Sequence, residues 1–424
     1  MVSFPRGTPR PCRPPRTRSR PPWTERLRRN RKALLPVLPG RLFFCSGRGA
    51  RDRHDPMNRT PTTIAMLGPR ERKAMIAMTL TPRIRELSQQ QRDVDGPERM
   101  WAHRLVRPRT FETIETPRPA AAELADDDVM LRTQVGAICG SDLPYFGGAV
   151  SPLFDDDAAL APHVPGYPLH EVVGEVVWSR DPDLPVGTRA VGWATSTNAL
   201  AEYVVTKAGS LMAVSDGLSS ADAVILQPLA CVTDALRALG DLSGLRVAVI
   251  GLGPFGLLFC HVAKAFGAAT TVGVDPVDRS RVARAFGVDQ LVNSRSDRWS
   301  RTITDIERPD LVIEAVGHQT STLTDAIRAA APHGRVFCFG VPDEPVYPLP
   351  MQEVFRKSLK VSAGIVTERR KSLRAAERYL AEHPELRELY VTHTFSSDDV
   401  QRAFECAARP TPERIKVRLV MADA

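Results

Sequence analysis

The stretch VAVIGLGPFG, residues 247–256, joins an apolar run to three closely spaced glycines. VAVI has the length and composition of a buried strand, and the PFGLLFCHVAKAFGA segment has the apolar spacing of a helix. The glycines therefore form G-x-G-x-x-G between a strand and a helix, where the backbone and the helix N-terminus can bind a pyrophosphate. This pattern predicts a dinucleotide-binding unit whose cofactor-binding residues are Gly251, Gly253, Pro254, Phe255 and Gly256.

An aspartate ends the next apolar strand. The segment TTVGVD ends in Asp275, 24 residues past Gly251. A carboxylate at this position can accept hydrogen bonds from the adenosine ribose hydroxyls and repel a 2′-phosphate, which favours NAD over NADP. The other interpretation is that Asp275 only caps the helix that begins near Asp278.

Strands and helices alternate on both sides of the glycine-rich stretch. The helical segment DAVILQPLACVTDALRAL precedes it, and TTVGVD, DRSRVARAFGV, DLVIEAVG, STLTDAIRAAA and GRVFCFGV follow in order. Such alternation is typical of an α/β domain with a parallel, doubly wound sheet. We assign residues 229–364 to this Rossmann domain.

The preceding region has a different pattern. Short segments such as VMLRTQVG, EVVGEVVW and LAEYVVT alternate apolar and polar residues and are separated by Gly, Pro and Asp. This period of two predicts a mostly antiparallel β domain, which we assign to residues 100–228.

The positive charge of the chain is concentrated at its N-terminus. The formal net charge is +8, but residues 1–56 hold 14 Arg and one Lys against three acidic residues, so the remainder carries −4. Residues 1–99 are predicted to be a disordered Arg- and Pro-rich extension, because prolines interrupt them without helical periodicity. The charge has no recognition module beside it, which favours a tail over a nucleic-acid-binding arm.

Composition also bears on location. No apolar run reaches the roughly 20 residues of a membrane helix, so no membrane partner is expected. The seven cysteines are scattered and never form a CxxC pair. This arrangement argues against a disulfide framework and favours a reducing, cytoplasmic setting.

Three motifs occur in a characteristic order. GAICGSD at residues 136–142 precedes HEVVGEVV at residues 170–177, and the glycine-rich stretch follows. This order over residues 100–424 resembles the medium-chain dehydrogenase/reductase family, specifically its zinc-dependent alcohol and polyol dehydrogenases. The resemblance implies a GroES-like catalytic domain, completed by residues 365–424, with the active site in the cleft beside the Rossmann domain.

The resemblance also implies one catalytic zinc ion. Cys139 and His170 match two zinc ligands of the family, and a thiolate with an imidazole suits Zn²⁺. The third ligand position is Gln227, where relatives carry Glu, and Cys231 one helical turn later is the alternative. A four-cysteine lobe for a structural zinc is absent from the sequence, since there is no cysteine between Cys139 and Cys231.

Other site residues follow from the same resemblance. Ser141 corresponds to the hydroxyl that passes the substrate proton outward, Asp142 to the carboxylate that orients the ligand histidine, and Glu171 to the acid beside the metal. Besides Gln227 and the missing cysteine lobe, two further positions depart from the family: Leu169 replaces the glycine before the histidine, and Pro144 replaces a histidine of the proton relay.

The function implied is hydride transfer from a secondary alcohol, such as a polyol, sugar or amino-alcohol, to NAD with the help of zinc. The partners expected are this small-molecule substrate and further copies of the chain in a homodimer or homotetramer. One alternative is a zinc-free quinone or enoyl reductase on the same scaffold. Another is a non-catalytic protein that senses a nucleotide or binds nucleic acid through its basic tail.

Overall fold

A computed structural model of the chain describes residues 97–149 and 164–421. The predicted disordered extension lies outside the described residues, apart from positions 97–99. The strands within the described ranges are β1 (Arg99–Arg107), β2 (Thr110–Pro117), β3 (Asp128–Ile138), β4 (Glu171–Ser179), β5 (Arg189–Trp193), β6 (Tyr203–Lys207), β7 (Leu211–Ala213), β8 (Arg246–Ile250), β9 (Thr270–Asp275), β10 (Gln290–Asn293), β11 (Leu311–Glu314), β12 (Arg335–Cys338), β13 (Lys360–Ala363), β14 (Val391–Ser396) and β15 (Lys416–Val420). The α-helices are α1 (Asp142–Phe146), α2 (Ser220–Ala223), α3 (Leu226–Leu239), α4 (Pro254–Ala265), α5 (Ser280–Ala283), α6 (Ser296–Thr302), α7 (Ser321–Ala329), α8 (Met351–Arg356), α9 (Arg369–Glu382), α10 (Leu386–Leu389) and α11 (Val400–Ala408).

Six strands form a parallel sheet in the order β10-β9-β8-β11-β12-β13. Counted from β8, this is the order 3-2-1-4-5-6 of the Rossmann fold. All four residues of β11 and the last four of β8 are buried, because helices cover both faces of the sheet. The doubly wound sheet predicted from the sequence is confirmed.

The second large sheet is mostly antiparallel and has the order β14-β15-β3-β4-β5-β7, with β6 also paired to β3. β15 pairs with β3 in antiparallel fashion, and β14 runs parallel to β15. The last described strand of the chain thus lies beside the strand that leads to Cys139. The combination of an antiparallel sheet with a Rossmann sheet confirms the predicted fold class.

An apolar core connects the two sheets. It contains Val135 and Val191 of the antiparallel sheet, Val247 and Val249 of the parallel sheet, and buried leucines of α3. α3 and α9 pack against each other within this part of the molecule. No helix among the described residues is both long and apolar enough to cross a membrane. The shared core fixes the position of the cleft between the sheets.

Candidate active site

A cleft of about 950 Å³ contains most of the residues that the sequence singled out. Cys139, Ser141, His170 and Gln227 line one part, while the glycine turn and Asp275 line another. Its volume lies at the upper end of the range of about 300–1,000 Å³ that small-molecule sites occupy. A dinucleotide and a substrate can therefore share this cleft.

Asp142 fixes the positions of Cys139 and His170. Cys139 follows the last residue of β3, and Asp142 is the first residue of α1. One carboxylate oxygen of Asp142 accepts a hydrogen bond from the Cys139 amide at 2.8 Å, and the other lies 2.7 Å from Nδ1 of His170. Burial lowers the pKa of His170, but the charges and hydrogen bonds of Asp142 and Cys139 together outweigh this effect and raise the pKa well above its ordinary value. With Nδ1 engaged, Nε2 is the ring nitrogen left for a metal.

Glu171 lies behind this pair and is fully buried. One ligand atom each of Cys139, His170 and Glu171 lie within 4.8 Å of one another. Oε1 of Glu171 is 2.6 Å from Nζ of Lys416, which is also buried and begins β15. Burial raises the pKa of the Glu171 carboxyl, and the charge of Lys416 opposes this shift. No local sequence signal points to Lys416, because the two partners are 245 positions apart in the chain.

The two candidates for a third ligand are neighbours on α3. Gln227 is in the first turn of the helix, and its Nε2 lies 3.9 Å from Sγ of Cys231. Burial, followed by the negative charge of Cys139, raises the pKa of the Cys231 thiol far above its ordinary value. The structure therefore places both candidates on the wall of the cleft, and burial disfavours the thiolate form of Cys231.

Three buried oxygen atoms near the cluster lack a hydrogen-bond partner within the described ranges: Oε1 of Gln227, Oε2 of Glu171 and the hydroxyl of Tyr390. Burial and the charges of Glu171 and Cys139 raise the pKa of Tyr390 well above its ordinary value. An unpaired buried acceptor costs about 1–3 kcal/mol. A cation beside Gln227 and Glu171 would offset this cost, so the residues present fit a metal ion.

Asp275 supports the glycine turn at the other part of the cleft. Its Oδ2 accepts a hydrogen bond from the Leu252 amide at 2.6 Å, and Oδ1 accepts one from Val277 at 2.7 Å. Asp278, not Asp275, accepts from the first amide of α5. The carboxylate of Asp275 therefore does not cap this helix, contrary to the other interpretation of its position. It lines the cleft beside the turn that would hold the pyrophosphate.

The cleft wall includes residues without a sequence signal. The guanidinium of Arg369 lies 5.2 Å from the centre of the Trp193 ring and donates to Oγ of Ser210 at 3.0 Å. Arg369 begins α9, far from Trp193 in the sequence, and both residues line the cleft. Only tertiary folding brings this cation to the site.

Leu169, which replaces the glycine of the family motif, packs against Gly136 on β3. Leu169 is fully buried, and its Cδ2 occupies the space in which a Cβ of residue 136 would lie. Gly136 has no Cβ, so the leucine fits without displacing the strand. The residue directly before His170 thus packs its own side chain against β3.

Comparisons with known proteins identify similar chains. Residues 254–382 match the family model described as zinc-binding dehydrogenase. L-threonine 3-dehydrogenase of Bacillus licheniformis is 24% identical over 330 residues, which cover 70% of this chain and 91% of that protein. Sorbitol dehydrogenase of Bacillus subtilis is 24% identical over 288 residues, which cover 60% and 78%, respectively.

The solved structure of alcohol dehydrogenase TADH from Thermus sp. ATN1 superposes with a TM-score of 0.62. It is 25% identical, and the match covers 76% of this chain and all of that one. The predicted resemblance to the medium-chain dehydrogenase/reductase family is confirmed. The chain is an oxidoreductase that is similar to the alcohol dehydrogenases of this family.

Two glycine substitutions should separate folding from cofactor binding. In Gly256→Ala the new Cβ would collide with the carbonyl oxygen of Gly251, whereas in Gly253→Ala it would meet no atom within 4 Å. We expect Gly256→Ala to lower the free energy of unfolding by about 1–3 kcal/mol. Gly253→Ala should retain stability but weaken NADH binding, because its Cβ enters the space that a pyrophosphate needs. Urea unfolding and NADH fluorescence titration measure the two effects. Equal stability losses would contradict this account of the turn.

The Lys416–Glu171 pair should be strongly coupled. Lys416→Met would leave a buried carboxylate without its partner and destabilise the protein by about 3–5 kcal/mol. Adding Glu171→Gln should recover most of this loss, because it removes the uncompensated charge. A double-mutant cycle measures this coupling by urea unfolding of wild type, the two single variants and the double variant, all treated with chelator. Strictly additive losses would show that the two side chains do not interact.

Proposed function

We propose that this protein transfers a hydride from a secondary alcohol to NAD with the assistance of a zinc ion. The observation that carries the proposal is the position of Cys139, His170 and two unpartnered buried oxygens in and behind the cleft that also contains the glycine turn. The curated relatives act on alcohols by name, one on L-threonine and one on sorbitol.

Cys139, His170 and Gln227 would hold one catalytic zinc. The unpartnered Oε1 of Gln227 supports it as the third ligand, and the unpartnered Oε2 of Glu171 supports Glu171 as an alternative donor at the same place. When bound, zinc supplies Lewis-acid stabilisation of the substrate oxygen as that oxygen loses its proton. A ligand set with only one anionic member, Cys139, would hold zinc less tightly than a set that also contains Glu.

The chain's own residues would orient the reactants and move the proton. Asp142 holds His170 in one tautomer and orientation through Nδ1. Ser141 lines the cleft beside Cys139, and its hydroxyl would receive the substrate proton. The amides of the glycine turn would bind the pyrophosphate, while hydride acceptance belongs to the nicotinamide.

The substrate class proposed is a polyol, sugar or amino-alcohol. Trp193 offers an aromatic face on the cleft wall, and Arg369 lies against that ring. The guanidinium of Arg369 can donate hydrogen bonds to the hydroxyl groups of a polar substrate. The zinc-free quinone or enoyl reductase is less well supported, because it would leave the oxygens of Gln227 and Glu171 unsatisfied.

We further propose a homodimer or homotetramer in the cytoplasm. β13 is an edge strand of the parallel sheet, and the exposed apolar side chains Val346, Met351 and Phe355 lie in the segment just before it. An edge strand with apolar neighbours is suited to pairing with a second copy of the chain. The cysteines in the described part of the chain are all free thiols, which supports a reducing compartment.

Loss of Cys139 should separate the metal site from the cofactor site. Cys139→Ser should lose one zinc per chain relative to wild type and lose turnover, because a serine hydroxyl is a poor zinc ligand. NADH binding should be nearly unchanged, since the glycine turn is in the other sheet. Elemental analysis, an alcohol-dependent NAD⁺ reduction assay and NADH titration are the three measurements.

Gln227→Glu and Cys231→Ser complete this test. The first should slow zinc loss to a chelator because it adds an anionic ligand, and the second should leave zinc content unchanged. Full turnover by a protein from which chelation has removed all zinc would overturn the zinc proposal and favour the zinc-free reductase.

Cofactor preference depends on Asp275. The wild-type protein should prefer NAD⁺ to NADP⁺, because a carboxylate beside the turn repels a 2′-phosphate. Asp275→Asn retains an oxygen that can accept one of the two amide hydrogen bonds, so it should narrow the preference with limited loss of fold. The ratio of kcat/KM for the two cofactors is the measurement, with urea unfolding as a control. A wild-type preference for NADP⁺ would refute the assignment.

A further inference from the structure

A second group of potential metal ligands lies outside the cleft. His261 is on α4, and His383 and Glu385 lie in the connection between α9 and α10. Oε1 of Glu385 is 3.3 Å from Nε2 of His261 and 3.4 Å from Nδ1 of His383. The ligand atoms of all three residues lie within 4.8 Å of one another. None of the three lines the cleft described above.

The distances match the spacing of ligands around zinc. Zinc bonds to imidazole nitrogen and carboxylate oxygen are about 2.0–2.2 Å long, so neighbouring ligands in a tetrahedral site are roughly 3.4 Å apart. Both distances from Glu385 agree with that value. Two imidazoles and one carboxylate are also a ligand set suited to zinc. Zinc can bind once the histidine nitrogens that face Glu385 have lost their protons.

Neighbouring groups hold both imidazoles in place. Nδ1 of His261 lies 2.7 Å from the hydroxyl of Tyr379, so this nitrogen can donate to the hydroxyl while Nε2 faces Glu385. The Tyr379 ring packs on His383 with centroids 4.3 Å apart, and the two histidine rings are nearly perpendicular at 5.1 Å. Metal-binding histidines commonly donate their second ring N–H to an oxygen acceptor, which fixes the tautomer.

The cluster is accessible from one side. His261 is 8% exposed, whereas the side chain of Glu385 is 48% exposed. An ion can therefore enter beside Glu385, and a water molecule can complete four ligands. The buried side of the cluster belongs to α4, the helix that begins at the glycine turn.

We propose that His261, His383 and Glu385 form a second zinc site, separate from the catalytic one and exchangeable with the solvent. A zinc ion there would join α4 to the segment that follows α9. Because it would bind the folded chain in preference to the unfolded chain, it would raise the melting temperature with increasing free zinc.

The test compares zinc uptake by the full chain and two matched variants. His383→Phe removes a ligand nitrogen but keeps a ring against Tyr379. His393→Phe is the control, since it removes a histidine of β14 that belongs to neither ligand group. After dialysis against buffered zinc, His383→Phe should contain one zinc per chain fewer than wild type, and His393→Phe should match wild type.

Thermal unfolding gives a readout that does not depend on activity. The melting temperature of wild type and of His393→Phe should rise with zinc to the same extent, and the rise should be smaller in His383→Phe, which retains only the catalytic site. Glu385→Gln provides a second variant at a half-exposed position, and it should weaken zinc binding even if His383→Phe folds poorly. Equal zinc content and equal thermal shifts in wild type, His383→Phe and Glu385→Gln would overturn the proposal, whatever happens at Cys139.

Discussion

The mostly antiparallel sheet depends on the buried ion pair between Lys416 and Glu171, which joins two strands that are far apart in the sequence. Lys416 begins β15 and Glu171 begins β4, and both strands flank β3. Because neither charge is exposed to water, each must stay paired with the other. The pair therefore keeps the first residue of β15 close to the first residue of β4. Cys139 leaves the end of β3 between them, and His170 precedes Glu171 in the sequence. The pair thus fixes the backbone from which the proposed zinc ligands extend.

The sequence predicted the parts of the fold whose signals are local. The glycine turn and TTVGVD depend on residues close together in the chain, and the structure places β9 at residues 270–275, as expected. Short elements such as β10 and α6 were not predicted, because four to seven residues of mixed polarity carry little periodicity. Gly287, with φ of 72°, ends the helical turns after α5 and permits β10 to follow.

The residues of the candidate site also fall into those with a local sequence signal and those without one. Its motif residues could be named from the sequence, whereas Lys416, Tyr390 and Arg369 could not, because each comes from the C-terminal segment and reaches the site only after folding. Asp275 shows the limit of spacing arguments. It ends β9 and lines the cleft, while its contact with a cofactor ribose stays a prediction, and its hydrogen bonds to the Leu252 and Val277 amides show that it also stabilises the turn.

The contact between Leu169 and Gly136 has a consequence for how sequences of this kind can vary. The space above β3 admits one side chain, and it can come from either position but not from both. A larger residue at position 136 would require a smaller one at position 169. A glycine at position 169 and a glycine at position 136 are therefore alternative ways to fit one side chain into this space. In homologues, a larger side chain at one of these positions should accompany a smaller one at the other.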